Sequence, residues 1–171
     1  MSDIIAEVKA AKTASIQLSS VPTKVKDAAL EAMAEALDTH RSEILEANSK
    51  DLSNGEMLVD AGEISKSMFK RLAIDDAKID GMIDGIRDVI RLADPVGDVM
   101  SELDLDDGLT LFQIRCPIGM LGVIFESRPD VVPQIMSLCL KSGNGVAFKG
   151  GREAAESIRV LFRILRDAAA S

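Results

Sequence analysis

The stretch from Cys116 to Arg152 constrains the fold most, because it alternates between strand and helix patterns with short connections. Met120 to Phe125 is an apolar run typical of a strand buried on both faces of a parallel sheet. Helical spacing of apolar residues follows from Val132 to Cys139, and Val146 to Phe148 is a second short apolar run. This order predicts a βαβα unit with a right-handed crossover, and therefore an α/β fold.

Each of these two predicted strands ends in a loop that carries a cation. Glu126-Ser127-Arg128-Pro129 follows the first strand, and Lys149-Gly150-Gly151-Arg152 follows the second. Open α/β sheets bind ligands at the carboxyl ends of parallel strands, so we expect the two loops to open side by side around a ligand. Asp130 is expected to cap the helix between them, and Ser142-Gly143-Asn144 to end it.

The residues before this unit are predicted to be mostly helical. A first amphipathic helix is expected from Ser2 to about Leu18, and a long second helix from Pro22 to about Asp51. Ser53-Asn54-Gly55 is interpreted as a loop. Two more helices are expected, with Ser65 and Asp75 at their starts.

A β-hairpin is predicted between the helical residues and the βαβα unit. Val99 to Leu103 and Leu109 to Arg115 read as its strands, and Asp104 to Gly108 as an acidic turn with a glycine at positive φ. The carboxylates of this turn lack the spacing of a calcium loop, so we interpret the segment as solvated rather than as a metal site.

The overall composition excludes several classes of function. The chain has 171 residues, 47% of them hydrophobic, and a formal net charge of −8, without a basic stripe, which argues against nucleic-acid binding. We find no apolar segment of the roughly 18 residues that a membrane span needs, and no secretory signal. Two cysteines without close spacing predict a reducing, cytoplasmic location and no zinc site.

Neither cysteine is interpreted as a nucleophile. Cys116 precedes a proline at a strand end and Cys139 lies on the apolar side of a helix, so both are expected to be core or semi-core residues. His40 is the only histidine, which leaves no persuasive Cys–His or Ser–His pair.

Several motifs together resemble one known family. Cys116 to Asp130, Leu138 to Asn144 and Lys149 to Gly151 resemble γ-glutamyl phosphate reductase (glutamate-5-semialdehyde dehydrogenase), a branch of the aldehyde dehydrogenase superfamily. Ala47 to Asp51 and Leu92 to Gly97 extend the resemblance upstream. It covers essentially the whole chain, which would correspond only to the N-terminal portion of such an enzyme.

The resemblance implies a fold in three parts. Residues 1–98 would form the helical part of a cofactor-binding domain. Residues 99–115 would form a hairpin arm that joins a neighbouring subunit's sheet and makes a homo-oligomer, although a hairpin packed on its own domain is equally compatible with the sequence. Residues 116–171 would form the incomplete start of a Rossmann-like NADP-binding sheet.

The resemblance also implies an activity. The complete enzyme would use NADPH to reduce L-glutamyl 5-phosphate to glutamate 5-semialdehyde and phosphate in proline biosynthesis. The family's nucleophilic cysteine would lie downstream of Ser171, so this chain holds no catalytic residue and would be inactive alone. The alternative is a non-catalytic nucleotide-binding or oligomerisation module, and a downstream cysteine in a glycine-rich context would distinguish the two.

The second cationic loop is implied to bind the cofactor. The superfamily's lysine at the position of Lys149 reaches the adenosine ribose, and an arginine at 152 in place of the usual glutamate would favour the 2′-phosphate of NADP over NAD. Solvated side chains at a helix start are the alternative, and the choice between NADP and NAD stays open. The implied cofactor-binding residues are Phe125, Glu126, Lys149, Gly150, Gly151 and Arg152.

Arg128 and Ser127 are predicted to bind the substrate's phosphate or developing oxyanion. The superfamily usually has asparagine at the position of Arg128, whereas a guanidinium can hold a phosphate by two parallel hydrogen bonds. An acyl phosphate offers that group and an aldehyde does not. The alternative is a structural salt bridge from Arg128 to Glu126 or Asp130.

Overall fold

A computed structural model describes residues 2–170, with side chains from residue 5 onward. Five helices come first: α1 (Ser2–Leu18), α2 (Thr23–Thr39), α3 (Arg41–Asp60), α4 (Lys66–Leu72) and α5 (Asp76–Arg91). Then follow β1 (Val99–Asp106), β2 (Leu109–Ile114), β3 (Met120–Ile124), α6 (Val131–Lys141), β4 (Gly145–Lys149), a 3₁₀ turn (Arg152–Ala154) and α7 (Ala155–Ala169). The mixed architecture confirms the predicted α/β class.

The long second helix was predicted wrongly. The chain bends at His40, where φ is −103° and ψ is 22°, and the imidazole Nδ1 lies 2.9 Å from the Ala36 carbonyl oxygen. The predicted loop at 53–55 is also wrong, because α3 continues to Asp60. Gly55 is buried there, and a Cβ at this position would lie 3.0 Å from the Phe69 ring, so the glycine allows α4 to pack closely against α3.

The core lies between the helical layer and the helices of the βαβα unit. α2 packs against α5 and α7, and Leu30, Met33 and Leu37 of α2 are fully buried. Two edge-to-face contacts connect Phe125 to Phe148 and Phe148 to Phe162, with ring centroids 5.8 and 6.2 Å apart. These rings tie the sheet to α7.

Two buried lysines tie α2 to the ends of other helices. The Lys26 ammonium lies 2.5 Å from the Asp94 carboxylate and donates to the Lys141 carbonyl at 3.1 Å. The Lys141 ammonium lies 2.6 Å from the Asp27 carboxylate and donates to the Ile90 carbonyl at 2.9 Å. These lysines satisfy backbone carbonyls at the C-terminal ends of α6 and α5, where helices leave acceptors without partners.

The parallel sheet has the predicted pairing but not the predicted burial. β3 and β4 pair in parallel, with Ile124 opposite Lys149. The expectation that β3 is buried on both faces is wrong, since Ile124 is 80% exposed. The sheet contains two strands within residues 2–170, and no described element covers that part of β3.

The hairpin is the other sheet. β1 and β2 are antiparallel, with Leu103 opposite Leu111 and Glu102 opposite Phe112. Every residue of the two strands is exposed except Thr110, which is half-buried. The hairpin therefore does not bury its apolar side chains against the described part of the chain.

Candidate functional site

The two cationic loops leave the sheet at the same edge. β3 and β4 run in the same direction, and beyond their last pair the Phe125 N–H donates to the Lys149 carbonyl at 3.2 Å. The loop at 126–129 and the loop at 149–152 therefore start as neighbours, as the sequence pattern predicted. This edge is where parallel α/β sheets bind ligands.

A carboxylate that sequence reasoning missed joins the two loops. Glu153, at the start of the 3₁₀ turn, accepts hydrogen bonds from both the N–H and the hydroxyl of Ser127, each at 2.8 Å. Ser127 is 1% exposed and has φ of 49°, the only positive φ of a non-glycine residue among residues 2–170. A left-handed backbone costs an ordinary residue roughly 1–2 kcal/mol, so the two hydrogen bonds hold the loop in a conformation that it would otherwise leave.

The environment of Glu153 favours its charged form. Burial by itself raises the pKa of this carboxyl group, but hydrogen bonds from its own backbone N–H and from Ser127, with the Arg152 charge nearby, outweigh burial and lower the pKa below 4.5. A negative charge in the first turn also suits the start of a helix. An acidic residue at a predicted helix start, shortly after two glycines, was the sequence feature from which this role of Glu153 could have been predicted.

The two glycines of the second loop make room for the protein's own side chains. A Cβ at Gly151 would lie 2.0 Å from Glu153 Oε1, so only glycine lets this carboxylate fold back toward Ser127. A Cβ at Gly150 would lie 2.3 Å from Ile158 Cδ1 and 3.4 Å from the Phe125 ring. Both glycines thus have a packing reason that is separate from ligand approach.

An open cleft of about 530 Å³ lies beside the second loop. Glu126, Lys149 and the segment Gly150 to Glu153 line one side, and residues of α3 and α4 such as Leu58 and Met68 line the other. The cleft therefore brings together the predicted cofactor residues, with one exception. Phe125 lies behind it, packed on Phe148 and against Gly150.

The cations of the cleft are available to a ligand. Lys149 and Arg152 are exposed, and neither side chain makes a hydrogen bond or ion pair within residues 5–170. An ammonium and a guanidinium at one cleft fit the phosphate and hydroxyl groups of a nucleotide. Glu126 lines the same cleft and supplies an acceptor for a hydroxyl group.

Arg128 and Ser127 do not line this cleft, and Arg128 has a partner. Its guanidinium donates to Asp130 Oδ2 at 2.9 Å, which is one of the two salt bridges that the sequence left open. The prediction that Asp130 caps α6 is wrong, because Asp130 has helical φ and ψ and its side chain makes no cap hydrogen bond. Arg128 is 50% exposed, and pairs of this kind contribute little, roughly 0–1 kcal/mol, so an anion can compete for the guanidinium.

Two polar residues of α3 fix the start of α7, and sequence reasoning missed their roles. The Asp51 carboxylate accepts from the N–H groups of Ser157 at 2.7 Å and Glu156 at 3.1 Å. Asn48 donates to the Ser157 hydroxyl at 3.1 Å and accepts from the Ile74 N–H at 2.8 Å. Asn48 and Asp51 lie three residues apart, hence on one helix face, and that spacing was the available signal.

The two cysteines differ in burial. Cys139 is buried as predicted, and burial raises the pKa of its thiol, which disfavours the reactive thiolate. Cys116 was predicted to be at least partly buried, and that prediction is wrong because it is exposed.

Within the described residues no group of three or more His, Cys, Asp or Glu is placed to hold a metal ion. In the described part of the chain no helix is both long enough and apolar enough to cross a membrane.

Comparison with solved structures shows which known fold the chain has. A NAD-dependent benzaldehyde dehydrogenase from Corynebacterium glutamicum superimposes with a TM-score of 0.72 at 20% identity, over 98% of this chain and 33% of that one. No protein-family model matches the chain. The chain therefore has an aldehyde dehydrogenase-like fold.

Similarities at higher sequence identity are to one enzyme with this fold. A γ-glutamyl phosphate reductase from Methanosarcina barkeri is 61% identical over 163 residues, which are 95% of this chain and 36% of that protein. The crystal structure of γ-glutamyl phosphate reductase from Thermotoga maritima matches 97% of the chain with a TM-score of 0.89 at 38% identity, over 39% of its own length. The chain is thus homologous to part of γ-glutamyl phosphate reductase, as its motifs predicted, and spans just over a third of the length of these relatives.

Proposed function

We propose that the chain is the N-terminal, cofactor-binding portion of an NADPH-dependent γ-glutamyl phosphate reductase. The complete enzyme would reduce L-glutamyl 5-phosphate to glutamate 5-semialdehyde and phosphate, a step of proline biosynthesis in the cytoplasm. The observation that carries the proposal is the shared sheet edge, where a cleft with two unpaired cations adjoins the Arg128 loop. The high identity to reductases supports the same assignment.

The cofactor would lie with its adenosine end in the cleft beside Lys149. Lys149 would donate to the ribose, and Arg152 would bind a 2′-phosphate through a charge-assisted pair of hydrogen bonds. Glu126 would accept from a ribose hydroxyl, Gly150 and Gly151 would shape the loop, and Phe125 would support it from behind. A reduced nicotinamide cofactor bound there supplies the hydride for the reaction.

The substrate's phosphate would bind at Arg128. Its exposed guanidinium would exchange the weak pair with Asp130 for two hydrogen bonds to a phosphate. Ser127 belongs to the same substrate site, but both of its donors are already used by Glu153, so it would act by fixing the backbone before Arg128.

The three parts of the chain would keep the roles that the family implies. Residues 1–98 and 116–171 would build one cofactor-binding domain, and the hairpin at 99–115 would join a second copy of the protein. The exposed apolar residues Leu103, Leu111 and Phe112 support this use of the hairpin, because an uncovered antiparallel pair is rarely stable in water. Analytical ultracentrifugation of the complete protein, with Leu111→Asp as the test variant, would show a loss of oligomer.

The experiment for the function is an assay of the complete protein in the oxidative direction. We expect phosphate-dependent oxidation of glutamate 5-semialdehyde with NADP, and no turnover by residues 1–171 alone. Binding of NADP by the complete protein without any turnover would instead support a non-catalytic nucleotide-binding module. Turnover by residues 1–171 would contradict the assignment of this chain as a portion without the nucleophile.

A further inference from the structure

One side chain connects the two halves of the proposed site. We infer that Glu153 is a positioning residue that couples the occupancy of the cofactor cleft to the affinity of the Arg128 loop for the substrate's phosphate. The inference rests on the function proposed above. It assigns a role to a residue at the edge of the cofactor cleft whose carboxylate is directed at the Arg128 loop.

The contact with Ser127 is the first half of the argument. Glu153 accepts both donors of a serine that is 1% exposed and held at φ of 49°. The chain after this residue is fixed, since the Val131 N–H donates to the Arg128 carbonyl at 3.1 Å and begins α6. If Ser127 relaxed to an ordinary φ, the backbone between β3 and α6 would have to reorganise around Arg128. Glu153 therefore fixes the backbone from which the Arg128 side chain extends.

The position of Glu153 in the second loop is the other half. Glu153 directly follows Arg152, which lines the cleft, and its carboxylate lies against Gly151 in the space that a Cβ would fill. A ligand that draws Arg152 or the glycine backbone toward itself therefore shifts the carboxylate as well. The same carboxylate holds Ser127. The cofactor and the phosphate therefore favour the same conformation of the two loops. Coupling of this kind acts equally in both directions.

The test measures inorganic phosphate affinity of the complete enzyme with and without saturating NADP. In the wild type we expect NADP to tighten phosphate binding by about fivefold or more, within the usual range of coupling between two sites. In Glu153→Ala we expect this ratio to fall to about one, because no carboxylate then connects the two loops. Glu153→Gln should keep most of the ratio, because its amide oxygen can still accept from Ser127.

Two further variants separate positioning from general damage. Glu156→Gln is the matched control, because Glu156 lies one turn further along, and its carboxylate pairs with Arg159 rather than with the loop. It should leave the ratio unchanged. The double variant Glu153→Ala with Ser127→Gly should regain part of the phosphate affinity, since glycine adopts a positive φ without the steric cost.

The outcomes distinguish the inference from the function on which it rests. An unchanged ratio in Glu153→Ala, or an equal loss of phosphate and NADP affinity that Ser127→Gly does not restore, would overturn the coupling role alone. A wild-type enzyme that binds neither NADP nor phosphate would overturn the proposed function, and the inference with it.

Discussion

Asp51 should stabilise the protein strongly, although it lies in the first half of the chain and far in sequence from α7. Its carboxylate is 2% exposed and accepts from two backbone N–H groups at the start of α7, at 2.7 Å and 3.1 Å. In Asp51→Ala the N–H of Ser157, itself fully buried, would lose its acceptor without access to water. An unsatisfied buried donor costs about 1–3 kcal/mol, and hydrogen bonds to a charged group contribute about 1.5–3 kcal/mol each.

The expected loss in Asp51→Ala is therefore about 2–4 kcal/mol of the free energy of unfolding. For a chain of this size that corresponds to a decrease in Tm of roughly 4–16 °C. Urea unfolding of residues 1–171, followed by circular dichroism, measures the loss, and an unchanged m-value would show that the unfolded state is not altered. Asp51→Asn keeps one acceptor oxygen and should lose about half as much.

The control is Glu46→Ala, five residues earlier on the same helix. Glu46 is 72% exposed and pairs with Lys50 on the surface, so its loss should change stability by less than about 0.5 kcal/mol. If Asp51→Ala were no more destabilising than Glu46→Ala, the two hydrogen bonds from α7 to Asp51 would not contribute the expected free energy of unfolding.

Three shorter predictions concern the cleft and its loops. Arg152→Glu should weaken NADP binding by the complete enzyme about tenfold or more and favour NAD, because a carboxylate repels the 2′-phosphate and accepts from a 2′-hydroxyl. Isothermal titration with both cofactors measures this change. If Arg152 were merely solvated, the selectivity between NADP and NAD would be unchanged. Gly150→Ala should destabilise the protein by about 1–3 kcal/mol in urea unfolding, since its methyl group would lie 2.3 Å from Ile158 Cδ1. Gly81→Ala, at an exposed position of α5 with no atom near the added Cβ, should instead be stabilising. Because the pKa of Glu153 is lowered, its contribution to stability is present above about pH 4.5 and is lost as pH falls through the folded-state pKa. Glu153→Gln should remove that part of the acid sensitivity. An identical pH dependence of the free energy of unfolding in the wild type and in Glu153→Gln would contradict this prediction.

The sequence predicted the features that depend on neighbouring residues. Asp75 accepts from the Lys78 N–H at 2.8 Å, so the predicted cap is confirmed. The helix predicted to follow Ser65 is also present, and the Ser65 hydroxyl accepts from the Met68 N–H at 3.1 Å. Gly143 ends α6 with φ of 71°, as its position after an apolar helix indicated. Parallel pairing of β3 and β4 followed from the short loops and the helix between them. In each case the physical cause lies within a few residues or in the strand–helix–strand order.

The features that the sequence did not predict depend on partners far along the chain. Gly55 looked like a loop signal, and only the position of Phe69 on α4 shows that it is a packing glycine inside a helix. Asp51 and Ser157 are separated by 106 residues, so no local pattern reveals their hydrogen bond. Asp130 had the right residue type for a cap, but its neighbour Arg128 competes for the same carboxylate. Local propensity identifies what a side chain can do, and the tertiary structure selects which partner it has.

The helical layer therefore contributes to the site through a series of hydrogen bonds rather than through ligand contacts alone. Asp51 of α3 fixes the first N–H groups of α7, and the turn that leads into α7 carries Glu153. Glu153 fixes Ser127, and Ser127 directly precedes Arg128. A displacement of α3 relative to the sheet would thus reach both cationic loops, and misplacement of about 1 Å in a site can cost on the order of a hundredfold in rate. The first helices look like a layer that only covers the sheet. For this reason, however, they also help to determine the distance between the proposed cofactor and substrate positions.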